Sequence, residues 1–141
     1  MADTIYSVDA LATGAGRDGH VTTSDGRLDL NMAIPKEMGG SGDGFNPEQL
    51  FAAGFAACFH SALHAVARGK KIKLVDSSVG ARVEIVTDPE FGMDLAVTLE
   101  VVLPGLEHDE ANEIAEAAHK MCPYSRATRG NITVNLVVTD D

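Results

Sequence analysis

The alternation of apolar and polar positions divides the chain into strand-like and helix-like segments. Residues 4–11 and 19–33 have the two-residue period of β-strands, and the sequence SDGR inside the second segment suits a tight hairpin turn. These segments predict an N-terminal β-meander. The following stretch EMGGSGDGF, residues 37–45, lacks the Gly-Lys-Ser/Thr ending of a phosphate-binding loop, so we interpret it as a flexible loop.

A long apolar run from Leu50 to Ala67 dominates the middle of the chain. Asn46 and Pro47 are a typical cap and first residue for a helix that ends near residues 68–71. Ser61 and two histidines interrupt the run, so we predict a buried central helix rather than a membrane span. Because the helix is apolar all round and the chain is short, covering the helix favours a second subunit.

The second half of the chain predicts a strand hairpin, a helix and a final strand. These elements lie at residues 75–87, 93–103, 107–121 and 131–139. The sequence DPEFG forms the turn of the antiparallel hairpin, and Pro123 stops the helix. Strands and helices in this order predict an α+β fold, and 141 residues with 45% hydrophobic side chains fit a single domain over residues 1–141.

Charge and composition narrow the classes of partner. Aspartate and glutamate number 21 against 11 lysine and arginine residues, and the formal net charge of -10 repels phosphate backbones and anionic membrane surfaces. We therefore expect no nucleic-acid partner and no membrane association. The first residues, MADTIYSVDA, contain no basic segment followed by an apolar one, so we expect a cytoplasmic protein rather than a secreted one.

Two alternatives to cysteine chemistry find little support in the residues. His60 and His64 stand four apart on the predicted helix with Cys58 nearby, a spacing that can hold a metal. Cys58 and His60 point about 200° apart on an ideal helix, however, and no HExxH motif is present, so we expect no metal. A Ser-His-Asp hydrolase would need a GxSxG motif, which the chain lacks.

The chain has two cysteines, Cys58 and Cys122, each on the apolar stripe of a predicted helix. Composition alone favours inert buried thiols. In the cytosol a thiol pair is more often structural, catalytic or redox-sensing than a permanent disulfide. Three stretches favour a chemical role: GAGRDGHV around Arg17, NPEQLFAAGFAACFHSAL around Cys58, and CPYSRATRGN around Cys122.

Together these stretches resemble the organic hydroperoxide resistance (Ohr) branch of the OsmC/Ohr family of thiol peroxidases, and the resemblance covers essentially the whole chain. It implies an OsmC-like fold and an intertwined homodimer whose two chains wrap around paired central helices. It also implies that Cys58 is the peroxidatic cysteine and Cys122 the resolving one. Arg17 and Glu48 resemble the family's polar pair, and we expect no cofactor.

The four residues suit those roles physically. A thiolate attacks the peroxide bond, and burial among alanine and phenylalanine side chains opposes ionisation of Cys58. Arg17 supplies a charge that offsets this burial, and Glu48 holds the guanidinium through a two-pronged bond, since a carboxylate beside the thiolate would oppose its ionisation. Without the resemblance, Glu48 is better explained as a first-turn acid that favours the helix dipole.

The spacing of Glu48 and Cys58 constrains the assembly. Ten positions on an unbroken helix span about 15 Å, so one chain cannot place both side chains at the same peroxide. Either the helix breaks, with Gly54 as the candidate position, or Glu48 and Arg17 reach the thiol of the other chain. The second alternative predicts a two-fold dimer with active sites at the interface.

The expected cycle oxidises Cys58 to a sulfenic acid, releases an alcohol and closes a disulfide with Cys122. Because the chain has no third cysteine, an external dithiol must regenerate the thiols, and the resemblance implies lipoyl groups carried by other proteins. A non-catalytic dimer that binds an apolar ligand or senses oxidation is the main alternative. Residues that either line an apolar mouth for alkyl or fatty-acyl hydroperoxides or belong to the core are Phe51, Phe55 and Phe59, with Leu50 and Met38 as weaker candidates.

Overall fold

The computed structural model describes residues 2–139. Six strands, three α-helices and two short 3-10 turns alternate along these residues, so the predicted α+β fold is confirmed. The chain divides into two compact units. The first ends at Leu50 and the second begins at Phe51. The expectation of one domain over residues 1–141 stays a prediction.

The first unit is built on a small antiparallel sheet. It pairs three strands in chain order: β1 (Ala10–Thr13), β2 (His20–Thr23) and β3 (Asp29–Asn31). At the turn between β2 and β3, the Asp25 carboxylate accepts hydrogen bonds from the Arg27 amide at 3.0 Å and the Thr23 hydroxyl at 2.7 Å. Gly26 adopts a left-handed φ of 73° in the same turn. The predicted meander and its SDGR turn are therefore confirmed.

The first strand is shorter than predicted, and the expectation of a strand over residues 4–11 is wrong before Ala10. The last hydrogen bond of this edge runs from the Ser24 amide to the Asp9 carbonyl at 2.8 Å, after which the chain of β2 turns away. The earlier described residues alternate between apolar and polar side chains but have no neighbouring strand to pair with. Alternation without such a partner does not make a strand. Ile5 and Tyr6 are accordingly 99% and 76% exposed.

Helix α1 (Pro47–Gly69) begins where the sequence predicts. Asn46 Oδ1 accepts the Gln49 amide and Gln49 Oε1 accepts the Asn46 amide, both at 2.9 Å, which is a reciprocal capping box. The helix ends within the predicted range of residues 68–71. It is continuous through Gly54, so the helix-break alternative of the sequence analysis is wrong.

One face of α1 is buried in the described chain. Its core residues are Phe55, Phe59, Ala62, Leu63 and Ala67. Three small residues at four-residue spacing are exposed: Ala53, Ala57 and Ser61. Among residues 2–139, α1 is the one helix long and apolar enough to cross a membrane by length and composition alone, a property that core helices of globular proteins share. Its buried phenylalanines are typical of such a core helix.

A second sheet forms the framework of the second unit. Its strands are β4 (Ser78–Asp88), β5 (Gly92–Val102) and β6 (Thr133–Thr139), in that order. β4 and β5 form the predicted antiparallel hairpin, and Asp88 Oδ1 closes its turn by accepting the Glu90 and Phe91 amides at 2.8 Å. β5 and β6 are parallel, a pairing that the sequence pattern does not predict.

Two helices connect β5 to β6. Helix α2 (His108–Met121) contributes four buried residues to the core: Ala111, Ile114, Ala115 and Ala118. The sequence pattern does not predict the short helix α3 (Pro123–Thr128), because Pro123 indicates only the end of α2 there. Proline also suits the first position of a helix, and here it both ends α2 and begins α3. Cys122 is therefore the single residue between two helices.

Candidate active site

The two cysteines meet within the second unit. Cys58 lies on α1 and is partly exposed, whereas Cys122 is fully buried. Both are free thiols, and the Cys122 thiol points at Cys58 with 3.5 Å between the Sγ atoms. A disulfide needs about 2.05 Å between its sulfur atoms, so a bond between these two requires a closure of roughly 1.5 Å.

The backbone around Cys122 explains where its side chain lies. The Cys122 amide donates to the Ala118 carbonyl at 2.8 Å, and the Cys122 carbonyl accepts the Arg126 amide at 3.0 Å. The residue thus belongs to the hydrogen-bond pattern of both helices, although its own ψ of 124° is extended. The Cys122 thiol therefore projects from the junction at which α2 ends and α3 begins.

Burial raises the pKa of the Cys58 thiol, and this is the largest influence on it. A backbone hydrogen bond from Tyr124 lowers that pKa, whereas the hydrogen bond and charge of Cys122 raise it further. In the described part of a single chain, none of these influences comes from a cationic side chain. The arrangement holds a nucleophile in place but favours its protonated form at neutral pH.

Arg17 and Glu48 meet within the first unit. Arg17 lies on the 3-10 turn Gly16–Asp18, and Glu48 lies on the first turn of α1. The guanidinium donates from Nη1 to Oε1 at 2.6 Å and from Nη2 to Oε2 at 3.1 Å, which is the two-pronged geometry expected from the sequence. The hydrogen bond to Glu48 raises the pKa of Arg17 against the opposing effect of burial. The Arg17 side chain remains 33% exposed, so part of its guanidinium stays accessible.

The loop between β1 and β2, which carries this guanidinium, depends on two glycines. Gly16 has a left-handed φ of 64°. At Gly19 a β-carbon would lie 2.1 Å from the Thr13 carbonyl oxygen, a distance that no side chain tolerates. The Asp18 carboxylate accepts the Ile34 amide at 2.9 Å and ties the loop to the chain beyond β3. These contacts account for two of the three glycines of the GAGRDG sequence, Gly16 and Gly19.

Two of the three phenylalanines proposed for an apolar mouth are core residues. Phe55 and Phe59 are fully buried, whereas Phe51 is partly exposed. Tyr124, which the sequence analysis missed, stacks on Phe51 at a centroid distance of 6.2 Å and meets Phe55 edge-on at 5.7 Å. Gly54 makes room for this ring, since a β-carbon there would lie 3.2 Å from the Tyr124 hydroxyl oxygen. The exposed part of the aromatic cluster therefore consists of Phe51 and Tyr124.

The remaining candidates from the sequence have contacts of their own. His60 Nε2 lies 2.9 Å from Ser77 Oγ, and burial, followed by the charge of His64, lowers the pKa of His60. Within residues 2–139 no group of three or more histidine, cysteine, aspartate or glutamate side chains is arranged to hold a metal ion. In the first unit, Leu50 is partly buried and Met38 is 41% exposed.

A polar bridge that the sequence analysis missed joins α2 to α3. Nδ1 of His119 lies 2.9 Å from the hydroxyl oxygen of Ser125, which is fully buried. Burial, followed by the charge of Arg129, lowers the pKa of His119, so its imidazole is neutral at neutral pH. Arg129 Nη2 also donates to the His119 carbonyl. Ser125 and Arg129 belong to the CPYSRATRGN stretch, but only the fold brings His119 to them.

Comparison with known proteins gives concordant matches. A family model described as OsmC-like protein matches residues 40–137. An organic hydroperoxide resistance protein of Xanthomonas axonopodis pv. citri is 46% identical over 140 residues, which are 95% of this chain and 94% of that protein. A crystal structure of an organic hydroperoxide resistance protein OsmC from Legionella pneumophila has a TM-score of 0.93 at 48% identity and covers 97% of this chain and 99% of its own. The organic hydroperoxide resistance protein OhrB of Bacillus subtilis has a TM-score of 0.87 at 42% identity, covering 96% and 100%.

Proposed function

Because the chain belongs to the OsmC-like protein family and has relatives named for organic hydroperoxide resistance, we propose that it is a cysteine-based peroxidase that reduces organic hydroperoxides to alcohols. The observation that carries the proposal is the 3.5 Å separation of the Cys58 and Cys122 sulfur atoms. One thiol is partly exposed and the other is buried behind it. This arrangement suits a nucleophile that meets the peroxide and a second thiol that resolves the oxidised product.

In the first step the Cys58 thiolate attacks the distal oxygen of the hydroperoxide. The O–O bond breaks, the sulfur keeps one oxygen as a sulfenic acid, and the departing oxygen takes up a proton and leaves as an alcohol. The partial exposure of Cys58 gives the peroxide access to the sulfur. The aromatic surface of Phe51 and Tyr124 favours alkyl or fatty-acyl groups over hydrogen peroxide.

This step needs a positive charge, because burial raises the pKa of Cys58. We assign the charge to Arg17, whose guanidinium is held by two hydrogen bonds to Glu48 and stays partly exposed. The same charge stabilises the oxygen that departs with the alcohol. Glu48 acts through Arg17 and is therefore a positioning residue.

The continuous α1 helix favours an assembly in which Arg17 and Glu48 of one chain serve Cys58 of its partner. Glu48 and Cys58 stand ten positions apart on this helix, which is about 15 Å along its axis. The exposed small residues of α1 would let a second α1 approach closely in a two-fold homodimer. Sedimentation equilibrium should therefore report a dimer, and a fully active monomer would contradict this assembly.

The sulfenic acid next condenses with Cys122, which gives a disulfide and water. The chain holds two cysteines in total, so an external dithiol must reduce this disulfide. We propose a lipoyl-bearing protein for this task, since a lipoyl dithiol closes into its own ring disulfide as it reduces another. A reducing cytoplasm is the matching compartment, because both cysteines must return to free thiols.

Multiple turnover tests the proposal. Reduced protein mixed with excess tert-butyl hydroperoxide and dihydrolipoamide should release alcohol in proportion to the dithiol consumed, over many cycles. Cumulative alcohol is measured by chromatography and dithiol by thiol titration. A protein that forms one disulfide and then stops in the presence of excess dithiol would be a redox sensor, and that result would contradict the enzymatic role.

A further inference from the structure

The hydrogen bond between His119 and Ser125, the α2–α3 bridge, spans the junction at Cys122. His119 lies three positions before Cys122 on α2, and Ser125 lies three positions after it on α3. The His119 Nδ1 and Ser125 Oγ atoms are 2.9 Å apart. The resolving thiol of the proposed cycle is therefore attached to the segment that this bridge closes.

Burial favours the closed bridge over a broken one. Ser125 is 0% exposed, and no buried side-chain nitrogen or oxygen in the described residues lacks a hydrogen-bond partner. A buried hydroxyl that loses its partner pays the desolvation penalty of an unsatisfied polar group. A change in the angle between α2 and α3 would separate Ser125 from His119, so the bridge opposes that change.

The groups that contact the Cys58 sulfur lie on the segment between His119 and Ser125. The Cys122 thiol points at Cys58 Sγ, and the backbone of Tyr124 makes a hydrogen bond to the same sulfur. Cys122 itself has an extended ψ of 124°, so no continuous helix fixes the direction of α3. The α2–α3 bridge is thus a side-chain restraint on the junction from which both groups reach the Cys58 sulfur.

We propose that His119 and Ser125 are positioning residues for disulfide formation, an inference that rests on the proposed peroxidase function. In that step the Cys122 sulfur bonds to the sulfenic sulfur of Cys58, the S–O bond breaks, and the hydroxyl leaves as water with the Cys122 proton. A second hydroperoxide competes for the same sulfenic acid, oxidises it to a sulfinic acid and leaves as another alcohol. The bridge favours the disulfide, because the sulfur atoms must close by roughly 1.5 Å along the correct direction.

Ser125→Ala removes the bridge without adding bulk. The rate constant of the first oxidation should fall much less than that of disulfide formation, because the Cys58 side chain and its access are unchanged and only the Tyr124 hydrogen bond to its sulfur is loosened. Disulfide formation should slow by about tenfold or more, the cost expected for a misplaced reacting group. Rapid quenching with a thiol-alkylating reagent, followed by intact mass spectrometry, measures the disulfide and sulfinic fractions at a fixed excess of tert-butyl hydroperoxide.

Thr128→Val is the matched control. Thr128 is on the same helix and 7% exposed, and its hydroxyl donates to the carbonyls of Tyr124 and Ser125, both within α3. This variant removes a nearly buried hydroxyl from α3 but leaves the α2–α3 bridge intact. It should therefore form disulfide and sulfinic acid in the original proportion, even if it lowers the melting temperature. A sulfinic yield as high as that of Ser125→Ala would show a general loosening of α3 and would overturn the inference.

His119 provides a second and gentler pair of variants, since this residue is only partly buried. His119→Leu removes the partner of Ser125 and should raise the sulfinic yield as Ser125→Ala does. His119→Asn places an amide where Nδ1 lies and should restore most of the disulfide. Equal sulfinic yields from His119→Leu and the original protein would overturn the inference. An original protein that forms neither sulfenic acid nor disulfide would instead refute the proposed function, and the inference with it.

Discussion

The ion pair of the first unit and the thiol pair of the second differ in almost every physical respect. Arg17 and Glu48 are charged, doubly hydrogen-bonded and partly accessible. Cys122 belongs to the apolar core and Cys58 packs against it, and burial raises the pKa of Cys58. The thiols supply a nucleophile without a charge to ionise it, and the ion pair supplies a charge without a nucleophile. In the proposed function, catalysis therefore depends on combining two pairs that are each inactive alone.

Removing the nucleophile gives the largest expected effect. Cys58→Ser should abolish turnover of tert-butyl hydroperoxide with dihydrolipoamide, because a serine hydroxyl does not form a sulfenic acid or a disulfide. Cys122→Ser is the companion variant, and it should keep the first oxidation but accumulate Cys58 sulfinic acid under excess peroxide. Peroxide consumption and intact mass measure the two effects. Peroxidase activity that survives in Cys58→Ser would show that Cys58 is not the nucleophile.

Removing the positive charge of Arg17 should have the next largest effect. Arg17→Ala should slow the first oxidation by about a hundredfold, comparable with the loss of one charge-stabilising donor elsewhere. The thiolate exists above the Cys58 pKa, so losing a cation that lowers this pKa moves the rate profile to higher pH. Iodoacetamide alkylation against pH measures the shift.

Arg27→Ala is the control for Arg17. Arg27 belongs to the same unit but is exposed in the turn between β2 and β3, where its charge lies 3.9 Å from Asp25. This variant should leave the alkylation profile unchanged. If Arg17→Ala gives the same profile as Arg27→Ala, the ion pair has no part in ionising Cys58.

Weakening the bond that holds the Arg17 guanidinium should have a smaller effect than removing the guanidinium. Glu48→Gln keeps one acceptor oxygen for Arg17, so one prong of the bond survives while the charge pairing is lost. The first oxidation should slow by about tenfold or less, with a small change in stability, since a partly exposed ion pair is worth about 0–1 kcal/mol. Stopped-flow oxidation and urea unfolding measure the two effects. Glu37→Gln, at an exposed position, should change neither.

Disturbing the start of α1 should have the smallest effect on activity. Asn46→Ala deletes one half of the capping box and should lower the free energy of unfolding by about 1 kcal/mol. Urea denaturation measures this loss. Peroxide turnover below the unfolding transition should change by less than about twofold, because Asn46 belongs to neither the ion pair nor the thiol pair. A large loss of turnover in folded Asn46→Ala would show that the cap also positions Glu48.

Local signals in the sequence predict local structure well. Asn46 and Pro47 fix the start of α1, and the capping box shows the reason in reciprocal hydrogen bonds. The SDGR and DPEFG turns are closed by the side chains of Asp25 and Asp88, which act within three residues of themselves. A turn or cap is decided by neighbours in the chain, so the chain alone reveals it.

Features that depend on distant partners could not be predicted in the same way. Periodicity indicates a strand over residues 131–139 but does not say that β6 pairs with β5 in parallel. The CPYSRAT stretch reveals Tyr124 and Ser125 as residues, but their contacts to Phe51 and His119 come from other helices. The family resemblance, not the spacing, pairs Arg17 with Glu48, which stand 31 positions apart. The two-pronged form of their bond follows from the chemistry of a guanidinium and a carboxylate.

Reaction of reduced protein with one equivalent of tert-butyl hydroperoxide, with hydrogen peroxide in parallel, tests the central claim most directly. Intact mass and free-thiol count are followed together. The account predicts that both thiols disappear within one chain, that the mass falls by that of two hydrogen atoms, and that the organic peroxide reacts faster. Two thiols that persist in the presence of the organic peroxide would contradict it, and Cys58 and Cys122 would then be core residues of an OsmC-like fold without peroxidase chemistry.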